Sequence, residues 1–473
     1  MSWKLNLADL AFATKGKILS TKQSEFTGVS TDGRADNAGK LFIPLKGDKF
    51  DAHDFIGQAL DHGARAFLTN KPLSELKFTV PQKELTVVQV ADTLTALQEL
   101  GRFWRRQLKI KVIGITGTNG KTTTREFTQV LTSAKFPTYA AKGSFNNHFG
   151  VPMSLLEAEP EHKLAIIEMG MNHPGELKRL VEIAEPDIVL VTMVGRGHLE
   201  GMGSVEAVAK EKEEIYKWSA RDAIRIFNLD NTHTKAMRSR APSPSKVLTF
   251  SSQDESATVH FKETLSTLEY LELTGKIAGV AGQARVPVFG SHNLNNLMAA
   301  ASAAVAAGVE PEVIWRALPN CKSTWGRNQL VELSSGARLI FDAYNANPES
   351  MGAALDNVAR LSVKGKRLLV LGEMLEMGDH ASALHEELGG KVGLMKPDFV
   401  WFVGPHKDDF ARGVRGSAFN KSLVVSDGYE EKLALELSRM IKPDDIILVK
   451  GSRGMKLERV VSALDPGKFK TTY

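Results

Sequence analysis

The sequence is poor in several features that would place it in a common class of protein. Its 473 residues include a single cysteine, Cys321, which excludes an internal disulfide and a metal cluster built on several cysteines. No apolar run is long enough to cross a bilayer, and the N-terminus lacks the apolar segment and cleavage site of a signal peptide. The net charge is only +5, from 60 basic and 55 acidic side chains without a dense Lys/Arg block, so nucleic-acid binding is not predicted. We therefore expect a cytoplasmic protein with no membrane span.

What the sequence does contain is a long alternation of strand and helix patterns. Apolar strands separated by amphipathic helices begin at Lys111, and a second such series begins after about residue 320. Continuous apolar strands are typical of parallel sheets covered by helices on both faces. Less regular sequence at about 247–289 predicts an antiparallel β-rich segment. We predict an α/β chain of three domains, at 1–106, 107–320 and 321–473.

The stretch "GITGTNGKTTT", residues 114–124, lies between a predicted strand and a predicted helix. At such a junction exposed backbone N–H groups and the helix dipole attract anions. Gly117 and Gly120 allow close backbone approach, Lys121 adds a positive charge, and Thr122 offers a hydroxyl suited to Mg²⁺. Ile115 stands where the general P-loop pattern requires glycine, so the generic signature is not met. The pattern predicts a shorter phosphate-binding loop; the alternative is an ordinary tight turn.

Two further polar residues follow predicted strands of the same sheet. Glu168 lies at the carboxyl end of the predicted strand "LAIIEMG", and His198 comes shortly after "DIVLVTMV". Ligands of open α/β sheets bind at the carboxyl ends of the strands, so we expect Thr122, Glu168 and His198 to converge on the phosphates. Taken alone, the glutamate could be a solvated cap and the histidine an ordinary structural residue.

The helix "SVEAVAKEKEEIYKW" contains a lysine in an unusual position. Lys212 falls on the apolar stripe, whereas Lys210 and the three glutamates between 211 and 214 are expected on the polar face; the stripe comprises Val205, Val208, Ala209, Ile215 and Tyr216. A lysine on a buried stripe costs free energy unless it is paired, neutralised or chemically changed. The alternative is that its side chain extends to the surface.

The loop "GTNGKTT" resembles the ATP loop of the Mur ligases, the ATP-dependent enzymes that form amide bonds in peptidoglycan precursor synthesis, and the resemblance extends over nearly the whole chain. It implies an N-terminal α/β module that binds a UDP-sugar peptide, a central P-loop-type ATP-binding domain and a Rossmann-like C-terminal domain. It further implies two Mg²⁺ ions held by Thr122, Glu168, His198 and Lys212. The family carries a carbamylated lysine four residues before an aromatic, and Lys212 precedes Tyr216 by four.

The resemblance also implies which residues contact ATP and which contact substrate. Lys121, Glu168, His198, Lys212 and Arg327 are the catalytic candidates. The ATP candidates are Gly117, Thr118, Asn119, Gly120, Lys121, Thr122, Thr123, His292, Asn293, Asn296, Arg327, Asp342, Tyr344 and Asn345. The substrate candidates are Ser30, Thr31, Asp32, Arg34, Phe42, Lys46, Gly47, Asn146, Asn147, Asn347, Pro348, Lys450 and Ser452.

Three motifs resemble those of the ligases that perform the last addition, of D-alanyl-D-alanine to UDP-MurNAc-tripeptide. They are "YNANPESM", "LGEMLEMGDHASALHEELG" and "VKGSRGMKLERVV", and the "DNPR" string of the diaminopimelate-adding relatives is absent. The segments around Glu373, His385, Lys450 and Ser452 are then candidates for the dipeptide pocket. The implied reaction passes through an acyl phosphate and a tetrahedral intermediate, in an enzyme we expect to be monomeric. The alternatives are another UDP-MurNAc-peptide ligase of this family and a non-catalytic nucleotide-binding protein.

Overall fold

The computed structural model describes residues 5–47, 50–141, 143, 145–241 and 246–467. Its N-terminal part forms strands β1 (Leu5–Asn6), β2 (Lys17–Ser20), β3 (Glu25–Phe26), β4 (Val29–Ser30), β5 (Leu41–Phe42), β6 (Ala66–Thr69) and β7 (Thr86–Gln89), with helices α1 (Leu7–Thr14), α2 (Ile56–Asp61) and α3 (Thr93–Gln107). A five-stranded sheet has the order β2-β7-β6-β5-β4. Its strands β4 to β7 are parallel, and β2 runs antiparallel to β7.

The central part contains strands β8 (Lys111–Thr116), β9 (Thr138–Ala140), β10 (Leu164–Glu168), β11 (Ile188–Val191), β12 (Ile224–Asn228), β13 (Val247–Ser251), β14 (Val259–Ser266), β15 (Leu271–Ile277) and β16 (Val280–Val286). Its helices are α4 (Lys121–Ser133), α5 (Gly150–Leu156), α6 (Glu176–Ala184), α7 (Leu199–Met202), α8 (Val205–Trp218), α9 (Thr232–Ser239), α10 (His292–Ala307) and α11 (Pro311–Ala317). The nine strands form one sheet in the order β16-β15-β14-β13-β12-β11-β8-β10-β9.

The central sheet is buried on both faces, as its continuous apolar strands predict. Successive side chains of a strand point to opposite faces, and accordingly Val112 and Ile167 belong to one core whereas Ile113 and Ile166 belong to another. Strands β8 to β14 pair in parallel, and only β14 to β16 form the antiparallel segment. The antiparallel prediction for 247–289 is therefore confirmed from β14 onward and wrong for β13, which pairs in parallel with β12.

The C-terminal part repeats the alternation with strands β17 (Gln329–Glu332), β18 (Arg338–Asp342), β19 (Arg367–Gly372), β20 (Phe399–Val403), β21 (Ser422–Ser426) and β22 (Ile446–Lys450), and helices α12 (Pro348–Arg360), α13 (Ala381–Met395), α14 (Lys407–Arg415), α15 (Glu431–Met440) and α16 (Glu458–Leu464). Its sheet has the order β17-β18-β22-β19-β20-β21 and is parallel except for β17. The predicted α/β class is thus confirmed.

The first and second sheets are joined through one apolar core. Leu97, Leu100 and Trp104 of α3 share a buried cluster with Val151 and Leu177 of the central part. The Trp104 indole N–H donates to the Ala158 carbonyl at 2.9 Å. The predicted boundary at 106 lies in the last turn of α3, so this helix connects the two parts. In the part of the chain that the structure describes, no helix combines the length and apolar character needed to cross a membrane.

Candidate active site

The loop between β8 and α4 has the geometry of a phosphate cradle. Gly117 and Gly120 have φ angles of 151° and 81°, in the region that favours glycine. A Cβ added at Gly117 would lie 1.8 Å from the Thr192 hydroxyl, and one at Gly120 would lie 2.2 Å from the Asn296 amide oxygen. Glycine is therefore required at both positions, because the loop passes against its neighbours without room for a side chain. The loop ends at the N-terminus of α4, where anions are favoured.

Lys121 begins α4 and turns back over this loop. Its ammonium donates to the carbonyl of Gly117 at 2.7 Å and to that of Thr118 at 3.3 Å. Burial lowers the pKa of Lys121, and the Glu168 carboxylate opposes that shift. The side chain is thus directed at the loop and is held by carbonyl groups that a bound phosphate can replace.

Thr122 and Glu168, predicted as metal ligands, are in direct contact. The Thr122 hydroxyl donates to Oε2 of Glu168 at 2.8 Å, and Asn146 donates to Oε1 at 2.8 Å. Glu168 is almost fully buried, and Nη1 of Arg125 lies 3.5 Å from its Oε2. Arg327, from the C-terminal part, donates to the Thr122 hydroxyl at 2.8 Å. The central and C-terminal parts therefore meet at this hydroxyl.

His198 lies at the same edge of the sheet and faces a residue that the sequence analysis did not select. Its Nδ1 is 2.7 Å from Oε2 of Glu376, although the two groups are not aligned as a hydrogen bond. Both residues have left-handed backbones, with φ of 59° and 63°. Burial lowers the pKa of His198, and the imidazole in turn lowers the pKa of Glu376.

Lys212 is enclosed in the protein, as its place on the apolar stripe predicts. It is fully buried, and its Nζ has no hydrogen-bond partner among the described residues. Extension to the surface is thereby excluded. Burial holds the pKa of Lys212 well below its usual range, and the Lys121 cation acts in the same direction. A lowered pKa increases the share of a lysine present as the neutral amine, which is the form that reacts with carbon dioxide.

The prediction for the polar face of the same helix was wrong at two positions. Glu211 and Glu213 are buried, with exposed fractions of 6% and 9%. Glu211 accepts the backbone N–H groups of Gly175 and Leu177, each at 2.9 Å, and so satisfies free donors at the start of α6. Glu213 accepts from Arg240 at 2.8 Å. Packing against α6 and α9 gives both carboxylates partners that helical periodicity does not reveal.

The N-terminus of α10 supplies three of the predicted ATP residues, His292, Asn293 and Asn296. Nε2 of His292 lies 3.0 Å from Nδ2 of Asn328, and its Nδ1 lies 2.9 Å from Nδ2 of Asn357. Burial lowers the pKa of His292 to about 4. Asn293 donates to the Phe289 carbonyl at 2.8 Å and so holds the start of the helix. His292 is therefore an uncharged group at the site.

The carboxyl ends of β18 and β22 contribute an ion pair. Lys450 Nζ lies 2.7 Å from Oδ2 of Asp342 and also donates to the Asn345 carbonyl at 3.2 Å. The Arg327 guanidinium lies over the Tyr344 ring, 4.3 Å from its centroid. Most of the predicted ATP residues therefore lie close together, although they come from two different sheets.

One cavity of about 320 Å³ collects these groups between the central and C-terminal parts. The predicted residues that line it are Thr118, Asn119, Gly120, Lys121, Thr122, Thr123, Asn146, Glu168, His198, His292, Asn296, Arg327, Asp342, Tyr344, Asn345 and Lys450. Among the predicted residues of the central and C-terminal parts, those that do not line it are Gly117, Asn147, Lys212, Asn293, Asn347, Pro348, Glu373, His385 and Ser452. The N-terminal candidates do not line it either: Ser30, Thr31, Asp32, Arg34, Phe42, Lys46 and Gly47. The lining residues that sequence analysis missed are Met193, Asn328, Glu349, Ser350, Ala353 and Glu376.

Asn347 instead joins the two parts beside the cavity. Its amide exchanges two hydrogen bonds with that of Asn119, at 2.8 and 3.0 Å, and its Oδ1 also accepts the Ser350 N–H that caps α12. Pro348 occupies the first position of α12, and Asn147 accepts the N–H of Gly150 at 2.9 Å. Ser452 accepts the Leu375 N–H at 3.0 Å. All four have roles within the protein, and their contacts with substrate stay predictions.

The N-terminal candidates form a separate group around β4 and β5. Arg34 and Asp32 make an exposed bidentate pair, at 2.9 Å for each bond, which lowers the pKa of Asp32 to about 2. Ser30 donates to the Asp32 carbonyl at 3.3 Å. The Phe42 side chain is buried in the core, so a substrate contact there would use its backbone. The remaining members of the group are Thr31, half-buried, and Lys46 and Gly47, both exposed.

Comparison with known proteins gives one consistent match over the chain. Models of the Mur ligase family match in three stretches: the catalytic domain at 25–105, the middle domain at 115–304 and the glutamate ligase domain at 326–453. The UDP-N-acetylmuramoyl-tripeptide--D-alanyl-D-alanine ligase of Bacillus subtilis (strain 168) is 33% identical over 98% of both chains. The ligase of the same name from Escherichia coli (strain K12) is 35% identical over 92% of this chain and 93% of its own.

Solved structures agree with the sequence relatives. MurF from Acinetobacter baumannii superposes with a TM-score of 0.87 at 29% identity, over 98% of this chain and 99% of its own. The MurF ligase of Thermotoga maritima in complex with ADP gives a TM-score of 0.79 at 26% identity, over 92% and 96% of the two chains. The three-part architecture thus belongs to a fold of which one member has been solved in complex with ADP.

Proposed function

Because the chain belongs to the Mur ligase family, as its motifs predict, we propose that it joins D-alanyl-D-alanine to UDP-MurNAc-tripeptide with hydrolysis of ATP to ADP and phosphate. The observation that carries the proposal is the cavity in which the loop before α4 faces Arg327, Asp342 and Lys450 of the C-terminal part. Such a cavity supports a nucleotide site between two sheets, because ligands of open α/β sheets bind at the carboxyl ends of the strands. The D-alanyl-D-alanine ligases of two organisms resemble the chain over more than nine-tenths of its length.

The residues at the loop fit a magnesium nucleotide. Mg²⁺ takes oxygen ligands, and the Thr122 hydroxyl and Glu168 carboxylate offer them side by side. Nζ of Lys212, which has no hydrogen-bond partner in the part of the chain that the structure describes, marks a buried position where a carbamate would add two more oxygens. His198, whose Nδ1 makes no hydrogen bond to any described residue, is the fourth candidate. Two Mg²⁺ ions bound by these groups would neutralise the charge of the phosphates.

The protein's own groups have distinct tasks in the proposed reaction. Lys121 and Arg327 neutralise the triphosphate, one from each side of the cavity. The tripeptide carboxylate attacks the γ-phosphorus and ADP leaves, which gives an acyl phosphate. The dipeptide amine then attacks the acyl carbon, loses its proton, and phosphate leaves the tetrahedral intermediate. Phosphoryl transfer of this kind depends on positioning and charge neutralisation, so no protein nucleophile is required.

We place the enzyme in the cytoplasm and expect it to act as a monomer. Its nucleotide and peptide precursors are cytoplasmic compounds. The N-terminal group around Asp32 and Arg34 is the proposed uridine site, and α3 connects it rigidly to the central sheet. The C-terminal sheet then receives the incoming dipeptide.

The proposal is tested by phosphate release with purified enzyme, ATP, Mg²⁺ and UDP-MurNAc-tripeptide, with and without D-alanyl-D-alanine. We expect sustained release only when the dipeptide is present, together with a pentapeptide product identified by mass spectrometry. Single amino acids offered with the shorter UDP-MurNAc precursors serve as the matched controls. Turnover with one of those pairs, and none with the dipeptide, would assign the chain to another step of the family.

A further inference from the structure

A second cavity of about 320 Å³ adjoins the nucleotide cavity and shares two residues with it. His198 and Glu376 line both cavities, so this pair lies at the junction between the two cavities. The remaining lining consists of Asn172, His173, Glu200 and Gly201. The described residues that line this second cavity include two carboxylates and no lysine or arginine. Its charge therefore suits a cationic group, whereas the nucleotide cavity with Lys121 and Arg327 suits an anion.

Glu376 retains capacity for a further partner. Its Oε2 is close to Nδ1 of His198, at 2.7 Å, without the alignment of a hydrogen bond. Nδ1 of His198 is buried and has no hydrogen-bond partner among the described residues. An ionised carboxylate accepts about four hydrogen bonds, and the Glu376 side chain is 51% exposed. A donor entering from the second cavity would thus find an accessible and incompletely bonded carboxylate.

The loop that carries Glu376 is built to hold it in place. The N–H groups of Met374 and Leu375 donate to His385 Nε2 and Ser452 Oγ, each at 3.0 Å. The Glu376 carbonyl accepts the Glu200 N–H at 3.1 Å. Glu376 itself has a φ of 63°, which costs a non-glycine residue free energy and is retained where the surroundings impose it. The residues expected at the dipeptide pocket therefore anchor this loop.

We propose that Glu376 binds the ammonium group of the incoming dipeptide in the second cavity and holds its nitrogen beside the acyl phosphate. The inference rests on the proposed function, since it names the site that delivers the nucleophile. An α-amino group has a pKa of about 8, so at neutral pH the dipeptide arrives mainly as a cation. Glu376 is the carboxylate that reaches both cavities, whereas Glu200 lines only the second. Glu376 thus acts on binding and orientation of the dipeptide.

The test compares Glu376→Gln and Glu376→Asp with Asp379→Asn, a matched loss of charge at an exposed position three residues along the loop. A charged hydrogen bond contributes about 1.5–3 kcal/mol, so Glu376→Gln should raise the KM for D-alanyl-D-alanine about 10- to 150-fold. The KM values for ATP and UDP-MurNAc-tripeptide should stay unchanged. Glu376→Asp should recover part of the loss, and Asp379→Asn should match the wild type. Melting temperatures equal to that of the wild type would verify that the variants are folded.

Hydroxylamine, which is uncharged near neutral pH, provides a second readout. It traps the acyl phosphate as a hydroxamate without needing an ammonium site, so Glu376→Gln should form hydroxamate at the wild-type rate. The proposal would be overturned if Glu376→Gln lost hydroxamate and pentapeptide formation equally. It would also be overturned if the variant changed only the Mg²⁺ requirement, or if its KM for the dipeptide stayed within about twofold of the wild type. If wild-type enzyme forms neither product, the proposed function itself fails.

Discussion

Replacing Lys212 by methionine should stabilise the protein while abolishing its activity. Methionine has a similar length and apolar character, and it removes an amine that is fully buried without a hydrogen bond among the described residues. Burying such a polar group costs about 1–3 kcal/mol, which is the expected gain in unfolding free energy. In a unit of about 200 residues each kcal/mol raises Tm by roughly 2–4 °C. Activity should nevertheless fall by orders of magnitude, because the carbamate proposed to help hold Mg²⁺ cannot form.

The assay pairs thermal unfolding in carbon-dioxide-free buffer with phosphate release in the presence of bicarbonate. Lys210→Met is the matched control, since Lys210 lies two residues away on the exposed face of α8, and it should leave activity unchanged. Short carboxylic acids should restore part of the activity of Lys212→Ala, because they place a carboxylate in the vacated space. A fully active Lys212→Met enzyme would refute the carbamate. A Tm several degrees below the wild type would refute the inference that the amine is unpaired.

Three further predictions concern the nucleotide cavity. Lys121→Ala should lower kcat by about a hundredfold or more, measured as phosphate release. The control is Lys111→Ala, at an exposed position on β8. A near-normal rate for Lys121→Ala would refute the assignment of the phosphate-binding loop. Asn119→Ala, Asn347→Ala and the double variant should each raise the KM for ATP. The double-mutant cycle should give a coupling energy of about 0.5–1.5 kcal/mol between the two amides. Strictly additive effects would show that the amide pair does not join the two parts. Because burial lowers the pKa of His292 from 6.5 to about 4, the free energy of unfolding should fall by about 3 kcal/mol as the pH is lowered from above 6.5 to 4. Denaturant unfolding across this pH range should show the decrease. A His292→Gln variant with the same pH dependence would contradict this assignment.

Much of the fold and part of the site could be predicted because they follow from local pattern. Apolar strands and amphipathic helices predict parallel sheets, and the carboxyl ends of such strands meet at one edge. Thr122 follows β8 at the start of α4, Glu168 ends the neighbouring strand β10, and the structure brings the two into hydrogen-bond contact. Lys212 was identified for a similar reason, since an apolar stripe predicts burial whatever the charge of the residue on it.

Helical periodicity failed where long-range partners decide burial. Glu211 and Glu213 were expected on the polar face of α8, yet both are buried against neighbouring helices. The cost of burying a carboxylate is offset by hydrogen bonds from the start of α6 and from Arg240. Those donors lie between 27 and 36 residues away in the sequence, and no local pattern records them.

The contact between His198 and Glu376 shows why part of the site lies beyond sequence pattern. The two residues lie at the ends of different sheets, and neither falls at a spacing that relates it to the other. Exposed glutamates in loops are common, so nothing in the string "EMLEMGD" singles out Glu376. What distinguishes Glu376 is a left-handed backbone and a loop anchored by His385 and Ser452, and both emerge only after folding. A catalytic site shared by two sheets is therefore predictable at the strand ends within each sheet, and hardest to predict in the loops that reach across from one to the other.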